Sequence, residues 1–204
     1  MTVWALLAVN IASPGPNVLN TITTAMGSGR GPALASALGV ALGIGLWCLG
    51  MTLGMSALFQ AFPAARTLMT LVAAGLLLWF AARFLRAAWR GFHRRVGTLS
   101  GETGLSFRMA FFRSLAVNAT NPKALTTWVV ILSLFPVARA NAVDVATLGV
   151  GASAIGFLIH ALYGVAFSTA PAARAYLRLA PVINAAVGLF FAGFAIRLLA
   201  GLAP

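Results

Sequence analysis

The sequence predicts an all-α membrane protein of about six transmembrane helices, arranged as two inverted three-helix repeats. Three observations carry that expectation. Of the 204 residues, 61% are hydrophobic and only 8% charged, whereas a soluble domain needs about 25% charged residues to cover its water-facing surface. Long apolar runs recur from one end of the chain to the other, separated by short polar connections. Two Asn/Pro motifs occupy matching places in the two halves.

The first apolar segment runs from about Val3 to Ala25. No basic leader precedes it, so it reads as a retained first span rather than a secretory signal. The second covers Ala33 to Phe62 and is closed by Pro63; the pairs Gly39/Gly43 and Gly50/Gly54 within it predict close helix packing. A third spans Thr67 to about Leu85. The fourth runs from Phe107 to Phe135 and is stopped by Pro136. The fifth covers Val143 to Ala170, before Pro171, and the last runs from Pro181 to Leu199. Each is long enough to cross about 30 Å of hydrocarbon at about 1.5 Å per residue, some with tilt. Helices are expected because nothing shows the period-2 alternation of a β-barrel. The chain then reads as one transmembrane domain, with residues 1–88 as the first repeat, 89–106 as a basic connection and 107–204 as the second repeat.

Charge placement predicts orientation. The formal net charge of +12 comes from 14 Lys and Arg against only Glu102 and Asp144. The third connection holds Arg86, Arg90, Arg94, Arg95 and Arg108, with Arg83 and Arg113 at its edges. The first and fifth connections add Arg30, Arg174 and Arg178, while the opposite side carries Arg66, Arg139 and Arg197. The positive-inside rule therefore puts the basic stretch 86–108 in the cytoplasm and both termini outside. Arg83, Arg86, Arg90 and Arg94 recur at helical spacing, so the third helix is expected to continue along the membrane surface. Nucleic acid is not an expected partner, because no soluble basic domain exists to hold it. Cys48 stands alone inside an apolar run, which excludes an internal disulfide and a zinc site built on thiolates. No metal or other cofactor is expected.

The repeat is legible in two short motifs. Asn10-Ile-Ala-Ser-Pro14 resembles Asn118-Ala-Thr-Asn-Pro122, and Asn10 precedes Asn118 by the same distance as Pro14 precedes Pro122. Units of three spans must lie in opposite orientations, because three is odd, and that is the architecture in which transporters place substrate sites at broken helices. Pro14 and Pro16 each remove a backbone donor and Gly15 relaxes the chain between them, so Ser13-Pro14-Gly15-Pro16-Asn17 should break the first helix. Freed carbonyls are costly in hydrocarbon, so the break must face protein or a wet cavity. Asn10, Asn17 and Asn20 are placed to satisfy those groups or to reach a substrate; a simple proline kink is the duller account.

Asn118, Asn121, Pro122 and Lys123 form the matching element of the fourth segment. A central lysine costs about 2.5–3.5 kcal/mol on insertion scales, so Lys123 needs a partner or a water-filled site. Snorkelling to an interface is the competing explanation. If Pro122 breaks the helix, Lys123 stands at a new N-terminus, where cation and backbone amides together suit a carboxylate. His160 has a side chain suited to a proton relay, and Tyr163 follows on the same helix face. A neutral histidine bonded to a backbone carbonyl explains it equally well. Catalysis is not expected: Ser13, Lys123 and His160 have no acidic partner within the spans. A passive channel or a structural membrane subunit would also be compatible with these features.

Taken together, Ser13-Pro14-Gly15-Pro16-Asn17, Ser28-Gly29-Arg30-Gly31 with Gly39 and Gly43, Asn121-Pro122-Lys123-Ala124, and Val182-Ile183-Asn184 with Gly188, Gly193 and Arg197-Leu198-Leu199 resemble the LysE/RhtB family of amino-acid exporters over nearly the whole chain. The resemblance implies efflux of amino acids or close derivatives from the bacterial cytoplasm across the inner membrane, driven by the proton gradient. The absence of a phosphate-binding Gly-Lys-Ser/Thr loop agrees with a carrier that uses no ATP. Ile44 and Trp47 stand where many relatives have a polar or acidic residue and a histidine, and Ala73-Ala74-Gly75-Leu76 replaces a frequent Gly-x-x-Tyr. With no carboxylate deep within any span, proton coupling is left to Lys123, His160 or water, and a neutral or modestly polar amino acid is the expected substrate. Small-residue faces allow a homodimer within the lipid bilayer.

Overall fold

Every regular element among the described residues is an α-helix, the form that satisfies its own backbone without help from solvent. The computed structural model describes residues 3–62, 65–93, 100–134 and 140–201. Eight helices follow in order: α1 (Val3–Ala12), α2 (Pro16–Ser28), α3 (Arg30–Ala61), α4 (Ala65–His93), α5 (Phe107–Ala119), α6 (Pro122–Leu134), α7 (Ala142–Ala166) and α8 (Ala170–Ala200). Among the described residues four stretches are long and apolar enough to cross a membrane: Arg30–Phe59, Thr67–His93, Ala142–Ala166 and Arg174–Ala200. The segments expected to be the first and fourth spans each consist of two shorter helices.

Local chemistry sets the boundaries. Between α2 and α3 the chain turns at Gly29, whose φ of 84° lies in the left-handed region that a side chain resists. Ser106 caps α5 by accepting from the Met109 amide. Asn141 and Asp144 form a reciprocal capping box at the start of α7.

Two expectations need correction. The fifth segment does not run to Ala170: α7 stops at Ala166, and Pro171 lies in the first turn of α8, where its missing N–H costs nothing. Pro181 does not open the last helix but sits inside it, its ring against α4 at Gly91, where a Cβ would come 2.7 Å from Pro181 Cγ. The third helix continues past Leu85 to His93, as the spacing of its arginines predicts, and carries Arg86 and Arg90 with it. Pro63, Phe135, Pro136, Arg94, Arg95 and Arg139 lie outside the described residues, as does the Arg66 side chain.

Packing builds a main core and a smaller second cluster. α4 lies along α8, and α3 lies between α7 and α5. Around their seams Leu7, Val40, Leu77, Phe80, Ile131 and Phe191 form the main core. A smaller cluster of Val18, Ile22, Ala33, Phe167 and Tyr176 fixes α2 against α3, α7 and α8. Gly39 and Gly43 admit α5, with Cβ positions that would strike the Phe111 carbonyl and the Asn118 side chain. Gly50 and Gly54 meet nothing within 4 Å, so the expected close packing stops at the first glycine pair. Leu46, Leu49 and Leu53 are exposed beside them, an outward apolar face suited to lipid.

Candidate functional site

Residues Ser13, Pro14 and Gly15 separate α1 from α2, and Pro16 opens α2 as its first residue. Helix α1 therefore ends with carbonyls that no following turn can satisfy. Ser13 N–H returns to Val9 O at 2.9 Å, and Ser13 Oγ donates to Asn10 O at 2.7 Å. Tyr163 Oη, reaching across from α7, donates to Ala12 O at 2.7 Å. The remaining acceptors are met by a charge.

That charge is Lys123. Helix α5 ends at Ala119, Thr120 and Asn121 follow, and Pro122 opens α6. Asn121 Oδ1 accepts the Lys123 amide at 3.0 Å, capping α6 and fixing the lysine in its first turn. From there Lys123 Nζ donates to Asn10 O at 2.7 Å, Ser13 O at 2.9 Å and Ser13 Oγ at 2.6 Å. An ammonium has three hydrogens, and the α1–α2 interruption takes all three. Thr127, one turn further along α6, adds a bond from its Oγ1 to Asn10 Oδ1 at 2.9 Å. Gly15 makes room: a Cβ there would lie 3.3 Å from Lys123 Cδ and 3.4 Å from Nζ. The ring of Phe84 stands 5.8 Å from Nζ on another side.

Two cavities meet at this contact. The inner one has about 40 Å³ of free space, room for about one to three waters. Asn10, Ser13, Asn17, Asn118, Thr127 and His160 supply its polar wall. Asn118 is 1% exposed, and among the described residues neither its Oδ1 nor its Nδ2 has a partner, nor does Asn17 Oδ1. The second cavity is larger, about 260 Å³, and is bounded by Pro14, Pro16, Pro122 and Asn184 with Arg83 and the rings of Trp79, Phe80 and Phe84. Gly15, Asn121 and Lys123 belong to both walls.

Asn20 does not join the lysine. It lies in a separate buried network, donating from Nδ2 to Ser114 Oγ at 2.6 Å and to Ser36 Oγ at 3.3 Å. Ser36 and Ser114 share a short hydroxyl contact, and Thr21 bonds Ser36 at 3.1 Å. Thr21 Oγ1 and His160 Nδ1 share a further bond of 2.8 Å. His160 is thus held by a hydroxyl, not by the backbone carbonyl considered from sequence. It joins this network to the inner cavity, while Tyr163 serves the end of α1.

Sequence reasoning placed Arg83 at the edge of a basic connection, yet it stands at the larger cavity with its guanidinium 5.3 Å from the Trp79 ring. The available signal was its position inside the third apolar run, two turns before Arg90. Ser36 and Thr21 were missed because isolated small polar residues in apolar helices carry no spacing motif, and Asn184 was read only as part of the closing family motif. Outside the spans, residues 100–105 pack on the end of α2: Glu102 N–H donates to Thr23 O at 2.8 Å, and Ser28 Oγ donates to Glu102 O at 2.5 Å. Arg113 pairs with Glu102 at 2.6 Å and, mainly by its hydrogen bond, holds that carboxyl below the usual glutamate range.

Comparison with known proteins matches this chain to a family model. The model for LysE type translocators covers residues 8–201. The chain is 30% identical over 202 residues to the threonine efflux protein of Escherichia coli (strain K12), covering 98% of this chain and 96% of that one. It is 31% identical over 196 residues to the leucine efflux protein of Enterobacter sp. (strain 638), covering 91% and 87%. A homoserine/homoserine lactone efflux protein of Salmonella typhimurium is 33% identical over 125 residues, covering 61% of this chain and 56% of its own length. No solved structure matches significantly.

Proposed function

The chain belongs to the LysE type translocator family, and from that premise we propose that it exports amino acids or closely related small metabolites across the bacterial inner membrane by proton-coupled antiport. Members of this family are transporters rather than enzymes, and the efflux proteins among its relatives support an outward direction. The observation that carries the mechanism is the Lys123 ammonium bonded into the interruption between α1 and α2.

In this reading α1 and α2 form one interrupted span, α5 and α6 another, and the six spans make two inverted repeats. Packing supports it. Exchanging α1/α2 for α5/α6, α3 for α7 and α4 for α8 carries the contacts α3–α7 and α4–α8 into themselves. The same exchange turns α3–α5 into α7–α1, α3–α6 into α7–α2, α4–α6 into α8–α2 and α2–α5 into α6–α1, all of which occur, whereas α2–α3 and α3–α4 have no counterpart of like extent among the described residues. Substrate sites of such folds lie where the interruptions meet. The basic stretch 86–108 faces the cytoplasm and both termini face outward.

Lys123 is a latch in this scheme. Its bonds to Asn10 and Ser13 tie α6 to α1, and a substrate carboxylate competes for the same ammonium. Binding then exchanges a helix–helix tie for a helix–substrate tie, which gives the ligand the differential affinity for two states that a conformational change requires. Asn17, Asn118 and Asn121 line the path with amides able to hold the polar remainder of the substrate. Proton exchange runs through Lys123 and His160, which face one cavity, with Tyr163 a turn away on α7. The outward leucine face of α3 is where a second copy would pack in a homodimer.

Purified protein in proteoliposomes tests the function. Loaded threonine, leucine or homoserine should leave faster when a proton gradient is imposed, and an uncoupler should abolish the acceleration. Equal leakage of all small solutes, saturating for none, would identify a passive pore instead.

A further inference from the structure

The larger cavity has chemistry that the latch does not use. Two cations stand on it, Lys123 and Arg83, and they are not equivalent. All three hydrogens of Lys123 are committed to Asn10 and Ser13. Arg83 has its guanidinium over Trp79. The two carboxylates of the chain are engaged elsewhere, Glu102 with Arg113 and Asp144 in the cap of α7. Pro16 and Leu19 bring the first turn of α2 to the same wall, and that turn has no side-chain cap. A guanidinium, an uncapped helix start and a second cation thus line one cavity, and each of these groups favours an anion. Trp79, Phe80 and Phe84 form an apolar wall next to it.

We propose that Arg83 is a substrate-recognition residue, forming an outer subsite that captures the carboxylate of an amino acid in the larger cavity before it reaches Lys123, with the aromatic wall receiving the side chain. The inference rests on the exporter reading and adds an order of events. Arg83 concentrates and orients the solute; Lys123 then gives up its carbonyl partners to the carboxylate already beside it. Arg83 therefore governs half-saturation, and Lys123 governs the rate of the opening step. A solute lacking the carboxylate does not gain the first subsite, whatever its side chain.

Efflux of labelled leucine and of labelled threonine from proteoliposomes tests this. The proteins compared are wild type, Arg83→Gln, Arg83→Lys and, as a control, Arg86→Gln, whose exposed Nε bonds its own helix at Ala82 O. Loss of a charge-assisted contact should raise the half-saturating concentration of Arg83→Gln about ten- to hundredfold, with the maximal rate within about twofold of wild type. Arg83→Lys should recover part of the loss, because it keeps the charge without the stacked fork. Leucine should compete with the tracer, whereas leucine methyl ester and 3-methylbutylamine should not. Arg86→Gln should behave as wild type. Size-exclusion profiles and melting curves establish that each variant is folded. Carriage by wild type with unaltered half-saturation in Arg83→Gln, or equal competition by the methyl ester, overturns the subsite alone. If wild type carries neither tracer and no other amino acid, the exporter reading falls, and the subsite falls with it.

Discussion

Lys123 Nζ lies 2.7 Å from the carbonyl oxygen of Asn10, joining positions 113 residues apart at the point where α1 ends. The bond sets a cation against the carbonyl end of a helix, where the backbone dipole favours it. Removing the ammonium would leave Ser13 O short of a donor, at about 1–3 kcal/mol for a buried group left unpaired, while Asn10 O would keep its bond from Ser13 Oγ. Lys123→Ala should therefore lower the melting temperature and abolish efflux. Lys123→Arg should retain part of both, since a guanidinium can reach the same carbonyls. Full export by the alanine variant would remove the latch from the mechanism.

Gly15 tests the latch without touching a charged group. Its φ of 177° is extended backbone open to any residue, so a side chain there meets the lysine first. The Cβ of Gly15→Ala would sit 3.3 Å from Lys123 Cδ, and the flexible lysine can give way by a few tenths of an ångström. We expect a small loss of stability, below about 1 kcal/mol, with a several-fold drop in maximal efflux rate. Gly15→Val should be worse on both counts. Wild-type rates in Gly15→Val would show that the lysine position is not critical.

Much of this site was legible because proline and lysine have few tolerable places in an apolar helix. Pro14, Pro16 and Pro122 pointed to the interruptions by removing donors, and Lys123 pointed to a partner by its desolvation cost. What could not be read was the identity of that partner, since the Asn10 and Ser13 carbonyls have no sequence signature. Pro171 and Pro181 misled for a related reason. The same residue type stands in the first turn of α8 at Pro171 and inside that helix at Pro181, where its ring lies against Gly91 of α4.

The glycines of α3 make the same point and yield a paired prediction. Gly39 and Gly54 look alike in sequence, but a Cβ at Gly39 would run into the Phe111 backbone, while one at Gly54 meets nothing within 4 Å. Gly39→Ala must push α5 away and should cost about 1–3 kcal/mol. Gly54→Ala should be neutral or stabilising by up to about 1 kcal/mol from helix propensity. Melting curves in detergent compare the two directly. Equal destabilisation would mean that Gly54 is covered by something else, a second copy of the chain being the first to test by cross-linking.

Glu102 offers a prediction about pH, and its sign follows from the pairing. Arg113 holds the Glu102 carboxyl below its ordinary range, so the native state binds its proton less readily than the unfolded chain does. The contribution of the pair is then complete above the ordinary glutamate value of about 4.3 and is lost as pH falls through the lower folded value. Neutral and mildly acidic buffers should leave residues 100–105 seated on α2, held also by Glu102 N–H to Thr23 O. More acidic buffer should loosen them. Protease cutting within the connection between α4 and α5, followed over a pH series with an acid-active protease, should rise only in that acidic window. Glu102→Gln should remove the pH step while keeping the backbone bond, giving one cutting rate at every pH. A step that persists in the glutamine variant would assign the transition to another group.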